Sequence, residues 1–200
     1  MHRVCVFAGS SSGHDERHVE DAASLGEALA RRSIEIVYGA GRVGVMGALA
    51  DAALSAGGRV TGVIPEFLAR PGILHEGLTS TLVVPDMHVR KAKMAKLSDA
   101  FIALPGGYGT MEEICEVVTW AQLGLHHKPV GLFSSAGFFA PFVRLLDHAQ
   151  TEGFIAMSHR DLLFVATSLA DLLRELSQRT PGGRPTEENK AKNTDPFARH

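Results

Sequence analysis

Short, uninterrupted apolar runs alternate with amphipathic stretches along almost the whole chain. The runs at residues 3–8, 35–38, 59–64, 80–84, 100–104, 130–133 and 162–165 are rich in β-branched and aromatic side chains and too short for helices, so they predict strands. Between them the apolar positions recur at helical spacing, predicting helices near residues 18–31, 45–56, 87–97, 111–123, 138–150 and 169–178. Val4-Cys5-Val6-Phe7 and Phe101-Ile102-Ala103-Leu104 carry no polar alternation, which suits strands buried on both faces. The pattern predicts an α/β fold with a single Rossmann-like, doubly wound parallel sheet of about seven strands and helices on both faces. Ligands are then expected in the crevice beyond the carboxyl ends of the strands. Past residue 178 the periodicity stops. Residues 179–200 are rich in charge, glycine and proline, with Phe197 the only large apolar side chain. Such a segment cannot bury enough surface to offset its ordering entropy, so residues 1–178 are expected to form one domain and 179–200 a disordered tail.

A length of 200 residues, 45% of them hydrophobic, suits one domain with a substantial core. The formal net charge of −2 supplies no field to attract nucleic acid or an anionic membrane, so neither is expected as a partner. Cys5 and Cys115 both fall in apolar-periodic segments and are expected to be small buried thiols. The first apolar run is too short for a secretory signal, and none reaches the ~20 residues of a membrane span, which together predict a cytoplasmic protein.

Candidate chemistry lies in three glycine-rich turns. Gly9-Ser10-Ser11-Ser12-Gly13 follows the first predicted strand, where small residues allow close approach of a ligand and hydroxyls can bond phosphate or sugar. Gly39-Ala40-Gly41-Arg42-Val43-Gly44 matches G-x-G-x-x-G between a strand and a helix. That pattern admits a dinucleotide site, but it follows the second strand whereas the dinucleotide fingerprint belongs to the first βα turn. Glu66, the residue that could bind a ribose, follows Pro65 and opens a long loop. Tight turns beside a smaller nucleotide are the better account of Gly39, Gly41 and Gly44. Third, Pro105-Gly106-Gly107-Tyr108-Gly109-Thr110-Met111-Glu112-Glu113 directly follows a predicted strand. Its glycines clear side chains from the N-terminus of the next helix, where unpaired N–H groups and the dipole make an anion site. Thr110-x-x-Glu113 is also a capping box, with Thr110 as the cap and Glu113 reaching back to it. On that helix Ile114, Val117, Val118, Ala121 and Leu125 form the expected buried stripe, with Glu112, Glu116 and Thr119 opposite. Glu113 falls at the border, where partial desolvation would raise its pKa, so pattern alone leaves capping and catalysis both open.

Arg90, Lys91, Lys93 and Lys96 concentrate positive charge near the start of a helix, which reads as a solvated basic face. Arg90 differs from its neighbours because it lies just past a strand's carboxyl end, with a donor fork suited to an anionic ligand. His14 and His18 have the spacing of a helical zinc pair, but Asp15 stands where the metalloprotease motif needs Glu and no third ligand is evident, so no metal site is expected.

Together these pieces resemble the Lonely Guy family of cytokinin riboside 5′-monophosphate phosphoribohydrolases, whose members are often catalogued as lysine decarboxylases. The resemblance rests on Pro-Gly-Gly-x-Gly-Thr-x-x-Glu at residues 105–113, Met-His-x-Arg-Lys at residues 87–91, and the glycine loop running into Met46-Gly47. It covers about residues 3–178. Ala40, Arg42 and Val45 depart from the family pattern, in which a glycine, a small residue and a leucine are usual. The resemblance implies catalytic roles for Arg90 and Glu113. It implies substrate contacts at Glu76, Arg90, Lys91, Thr119 and the stretch Gly106, Gly107, Tyr108, Gly109, Thr110, Met111, Glu112 and Glu113. Gly9, Ser10, Gly39, Gly41, Gly44 and Met46 are expected as secondary phosphate or nucleotide loops. The implied reaction is hydrolysis of the N-glycosidic bond of AMP or an N6-substituted AMP to free base and ribose 5-phosphate. No metal or organic cofactor is needed, and a homodimer or larger homo-oligomer with its sites near a subunit interface is implied. A nucleotide-binding regulatory protein without chemistry, and an NAD-dependent oxidoreductase, are the alternatives.

Overall fold

A computed structural model describes residues 1–180. The expected tail at residues 181–200 lies outside the described residues. Seven strands, β1 (Arg3–Phe7), β2 (Glu35–Tyr38), β3 (Val60–Pro65), β4 (Ser80–Val84), β5 (Ala100–Ala103), β6 (Val130–Phe133) and β7 (Leu163–Ala166), form one sheet in the order β4-β3-β2-β1-β5-β6-β7. Every neighbouring pair is parallel. Helices α1 (Arg17–Ala30), α2 (Gly44–Ser55), α3 (Met87–Leu97), α4 (Tyr108–Gln122), α5 (Ala140–Thr151), α6 (Met157–Arg160) and α7 (Leu169–Arg179) make the crossovers. The predicted fold class is the observed one.

Side chains of opposite pleat enter two separate cores. Val4, Val6, Ile36 and Tyr38 pack under α1, α2 and α7, while Cys5, Phe7, Val37 and Phe101 pack under α3 and α4. At the centre, β5 is buried throughout and β1 and β2 are buried after their first residues, Arg3 and Glu35. β4, at the edge, alternates instead, with Val83 exposed. Among the described residues no helix is long and apolar enough to cross a membrane.

The structure corrects several local expectations. Helix α4 starts at Tyr108, three residues before the predicted start at Met111, with Gly107 as its cap. Glycine is poor inside a helix, which argued for placing Gly109 in the loop, but the first turn makes few intrahelical bonds and tolerates it. The helix ends at Gln122, so Leu125 lies beyond it and is 39% exposed rather than part of the buried stripe, and Val118 is only half-buried. Cys115 is exposed, while Cys5 is buried as expected. Helix α7 continues through Arg179, one residue into the segment assigned to the tail. The short α6 and a 3-10 turn at Glu66–Leu68 were not foreseen.

The chain order changes direction between β1 and β5, whose following loops therefore diverge and leave a crevice. The first and third glycine turns are the loops that follow these two strands.

Candidate active site

The turns after β1, β2 and β5 pack on one another. The Gly9 amide donates to the Pro105 carbonyl (3.0 Å), and the Met46 amide, at the start of α2, donates back to the Gly9 carbonyl (3.0 Å). A Cβ on Gly106 would overlap the Thr110 hydroxyl and crowd the Gly9 amide, so this approach is open only to glycine. Gly44 lies beneath the first turn with φ +67, against the backbone of Ser10 and Ser11. Ala40, the departure from the family's glycine, also adopts a left-handed conformation, with φ +62.

Beyond the strand ends lies a cleft of about 480 Å³, within the range of small-molecule sites. At its floor is a buried ion pair. Arg90 is 9% exposed and Glu113 6%, and Arg90 Nη1 donates to Glu113 Oε1 at 2.9 Å. Arg90 Nε donates to the Val63 carbonyl within β3 (3.1 Å). The other guanidinium nitrogen occupies the space that a Cβ at Gly39 would take, which explains the first glycine of the second turn without any dinucleotide. Helix α3 is capped by Asp86, whose carboxylate accepts from the Val89 amide (2.8 Å), and this cap places Arg90 on the inward face. Burial raises the Glu113 pKa, opposed by the Arg90 charge and reinforced by neighbouring Glu112.

The capping-box alternative for Glu113 does not survive. The cap is Gly107, no side chain bonds the helix start, and Glu113 lies in the second turn with its carboxylate on Arg90. The amides of Tyr108, Gly109 and Thr110 thus stand at an uncapped helix N-terminus, with Thr110 itself 3% exposed. This end combines free donors with the positive end of the dipole, which suits a phosphate. The dinucleotide reading of the second turn also loses its footing, because the sheet's switch point lies between β1 and β5, not at β2.

Of the sequence-predicted residues, the cleft brings together Gly9, Ser10, Gly39, Gly41, Met46, Arg90, Gly107, Gly109, Thr110 and Glu113. Gly106 faces an adjoining hollow of about 430 Å³ across the first turn. Others lie elsewhere on this chain. Lys91 is bonded to Glu112 and, at 3.0 Å, to Glu116, so it joins α3 to α4 rather than forming part of a solvated basic face. Burial pulls the Lys91 pKa down, but the two carboxylates outweigh it and the net shift is upward. Thr119 donates to the Cys115 carbonyl (2.7 Å) on an exposed face. Tyr108 is 93% exposed, and Met111 and Glu76 also face outward.

Sequence reasoning missed the far wall of the cleft. Residues 66–79 cross over the second glycine turn as a strap, joined to it by an antiparallel bridge between Gly41 and Leu74. The Arg42 amide donates to the Ile73 carbonyl (3.0 Å) and the His75 amide to the Ala40 carbonyl (2.9 Å). His75 Nδ1 accepts from the Gly77 amide (3.1 Å), leaving Nε2–H to donate to Asp51 on α2 (2.9 Å). Leu68 and Ile73 of this strap line the cleft with Val43, Ile64 and Met94. Scattered apolar residues in a loop carry no periodic signal that could have revealed them.

Residues 46–176 match the family model described as possible lysine decarboxylase. A probable cytokinin riboside 5′-monophosphate phosphoribohydrolase of Oryza sativa subsp. japonica is 46% identical over 179 residues, covering 90% of this chain and 85% of the relative. A cytokinin riboside 5′-monophosphate phosphoribohydrolase of Arabidopsis thaliana is 46% identical over 179 residues, covering 90% and 84%. Among solved structures, a molybdenum cofactor carrier protein of Chlamydomonas reinhardtii superposes with a TM-score of 0.67 at 21% identity, covering 89% of this chain and 97% of its own. A molybdenum cofactor binding protein of Rippkaea orientalis gives 0.67 at 19%, covering 88% and 96%. At these identities the structures share the fold.

Proposed function

This chain belongs to the family of cytokinin riboside 5′-monophosphate phosphoribohydrolases, and on that premise we propose that it hydrolyses the N-glycosidic bond of adenine-type nucleoside 5′-monophosphates. The observation that carries the reading is the buried Arg90–Glu113 pair in a cleft whose rim is an uncapped helix N-terminus. The 5′-phosphate sits on the amides of Gly107, Tyr108, Gly109 and Thr110, with Ser10 opposite. That anchor brings C1′ of the ribose over Glu113. As the bond from C1′ to the base nitrogen breaks, positive charge develops on the ribose ring, and a carboxylate in a water-poor site stabilises it more strongly than one in water. Water adds to C1′ and its proton passes to the departing base, so the products are free base and ribose 5-phosphate. Arg90 opposes the effect of burial on Glu113 and fixes its position.

The family model's decarboxylase description fits these residues poorly. Pyridoxal chemistry needs a lysine free to form a Schiff base. Among the described residues no lysine lines the cleft, and Lys91 is held between two carboxylates.

The protein assembles as a homodimer in the cytoplasm in this proposal. Support comes from the exposed Tyr108, Met111 and Leu123 along α4, and from Glu76, Lys91 and Thr119, implied substrate contacts that lie outside the cleft of one chain. A second copy covering α4 would place those residues beside a site.

Incubation with AMP and N6-isopentenyl-AMP, alongside the matching nucleosides, tests the reading. Free base is expected from the monophosphates, with the nucleosides at least about a hundredfold slower because they lack the orienting anchor. Equal rates on nucleosides would overturn the phosphate anchor, and no base from any of them would overturn the reaction.

A further inference from the structure

The second glycine turn is held from two sides. Toward the cleft, Gly39 lies against the Arg90 guanidinium with no Cβ to intervene, and Gly41 lies against Met46. On the other side its polar backbone groups are bound by buried Tyr38 and by the strap. The Tyr38 hydroxyl donates to the Gly41 carbonyl (3.1 Å), the Arg42 amide to the Ile73 carbonyl (3.0 Å), and the His75 amide to the Ala40 carbonyl (2.9 Å). Ala40 holds a left-handed conformation that its own side chain disfavours, so the turn relies on these bonds to keep its shape. The strap in turn is tied to the body through His75. Its Nε2–H donates to Asp51 on α2 (2.9 Å), while Nδ1 accepts from the Gly77 amide (3.1 Å). The His75 side chain is 11% exposed and lies outside the cleft. Helix α2 is a fixed support, with Val45, Leu49, Ala50 and Ala53 in the core beneath α1 and α7. Contacts therefore run without a break from Asp51 through His75, Ala40 and Gly39 to Arg90 and Glu113.

Resting on the proposed phosphoribohydrolase activity, we infer that His75 is a positioning residue for the Arg90–Glu113 pair, acting through the second glycine turn with Asp51 as its anchor. Without the tie to α2 the strap is free to shift, and the Ala40 carbonyl loses a fixed donor. Gly39 then recedes, and the guanidinium gains room to move away from Glu113. The phosphate anchor is spared, because it is built from the turns after β1 and β5, which the strap does not hold. Loss of the tie therefore lowers kcat and leaves KM nearly unchanged. It also changes the titration of the site. Glu113 faces Arg90 and Lys91 from α3, Glu112 on its own helix and the Cys5 thiol of β1. Burial raises its pKa and the Arg90 charge opposes that rise, so a looser Arg90 lets the carboxyl titrate higher. Turnover needs the carboxylate, so the acid limb of kcat moves to higher pH. Partial unfolding has no such effect, since it lowers kcat alike at every pH.

The test measures kcat and KM for N6-isopentenyl-AMP across the acid limb in the native protein and in His75→Asn, His75→Gln and Asp51→Ala, with the melting temperature of each. Asn sets its amide oxygen near the place of Nδ1 and keeps the Gly77 bond without reaching Asp51. Gln sets its amide nitrogen near the place of Nε2 and keeps the tie. Asp51 is 68% exposed and in neither core, so Asp51→Ala cuts the tie from its far end with the fold intact. His75→Asn and Asp51→Ala are expected to lower kcat about tenfold with KM within about threefold, and to move the acid limb up by about half a pH unit or more. His75→Gln is expected to stay within about threefold of native kcat with its limb in place. Native kcat in Asp51→Ala, a fall in kcat with an unmoved limb, or a His75→Gln variant as slow as His75→Asn would each overturn the inference while leaving the reaction standing. Absence of base release from the native protein at every pH would overturn both.

Discussion

Replacing Arg90 with Met removes the cation paired with the buried Glu113 carboxylate, and its consequence for stability can be worked from the site. Glu113 is 6% exposed and its carboxylate is bonded to Arg90 Nη1 at 2.9 Å. Left alone, it must remain charged in a poorly solvated place or take up a proton. Removing one partner of a buried pair typically costs 3–5 kcal/mol. Protonating a carboxyl of ordinary pKa ~4.3 at pH 7 costs about 3.7 kcal/mol at 1.36 kcal/mol per unit, which caps the penalty near the same value. The Val63 carbonyl also loses its donor, worth about 1 kcal/mol. A loss of about 4 kcal/mol in a domain of this size lowers the melting temperature by about 8–16 °C. Adding Glu113→Gln to Arg90→Met removes the stranded charge, so the double variant should regain about 2 kcal/mol over Arg90→Met alone while remaining without turnover. Thermal and urea denaturation followed by circular dichroism, with base release measured on the same samples, reads both quantities. A double variant no more stable than Arg90→Met, or one that turns over, would refute the ion-pair reasoning.

Glu113→Gln alone keeps a hydrogen-bond acceptor for Arg90 but no charge, so nucleotide binding should persist while turnover drops about a hundredfold or more; Glu112→Gln, outside the cleft, should be much milder, and calorimetric binding beside steady-state kinetics separates the two. His126 is buried, donates to the Val117 carbonyl (2.9 Å), and burial holds its pKa down at about 4. The folded state therefore resists a proton that the unfolded chain accepts below about 6.5. His126 contributes stability above that pH which is lost as pH falls toward about 4, amounting to about 3 kcal/mol. A urea titration across that range should show this slope in the native protein, and His126→Gln should lack it. Ala40 holds φ +62 at a cost of about 1–2 kcal/mol. Glycine there relieves this but loses about 0.5–1 kcal/mol in chain entropy and about 0.8 kcal/mol from the fully buried methyl, so Ala40→Gly should leave the melting temperature within about 3 °C of native, and a fall of more than about 5 °C would show that the strain is absent.

The fold was legible because burial on both faces of a parallel strand removes polar residues from it, as in Val4–Phe7 and Phe101–Leu104, and the helices between declare their period. The third glycine turn was legible because a run of glycines before a helix has few other uses. Arg90 was harder to place. In sequence it heads a basic run, and its burial depends on Glu113, 23 residues away on another helix, and on the empty space at Gly39. Glu113 was ambiguous for a related reason, since the capping-box spacing fits Thr110 until the helix is seen to begin at Tyr108. The strap was illegible. Leu68 and Ile73 follow no period, and only the backbone bridge between Gly41 and Leu74 brings them to the cleft.

The central claim is cleavage at C1′ of an intact nucleoside monophosphate, and one measurement tests it most directly. A time course with N6-isopentenyl-AMP, resolved by chromatography, should show free base and ribose 5-phosphate rising together in equal amounts, with neither nucleoside nor inorganic phosphate among the products. Nucleoside and inorganic phosphate in place of base and ribose 5-phosphate would place the cleavage at phosphorus and contradict the account.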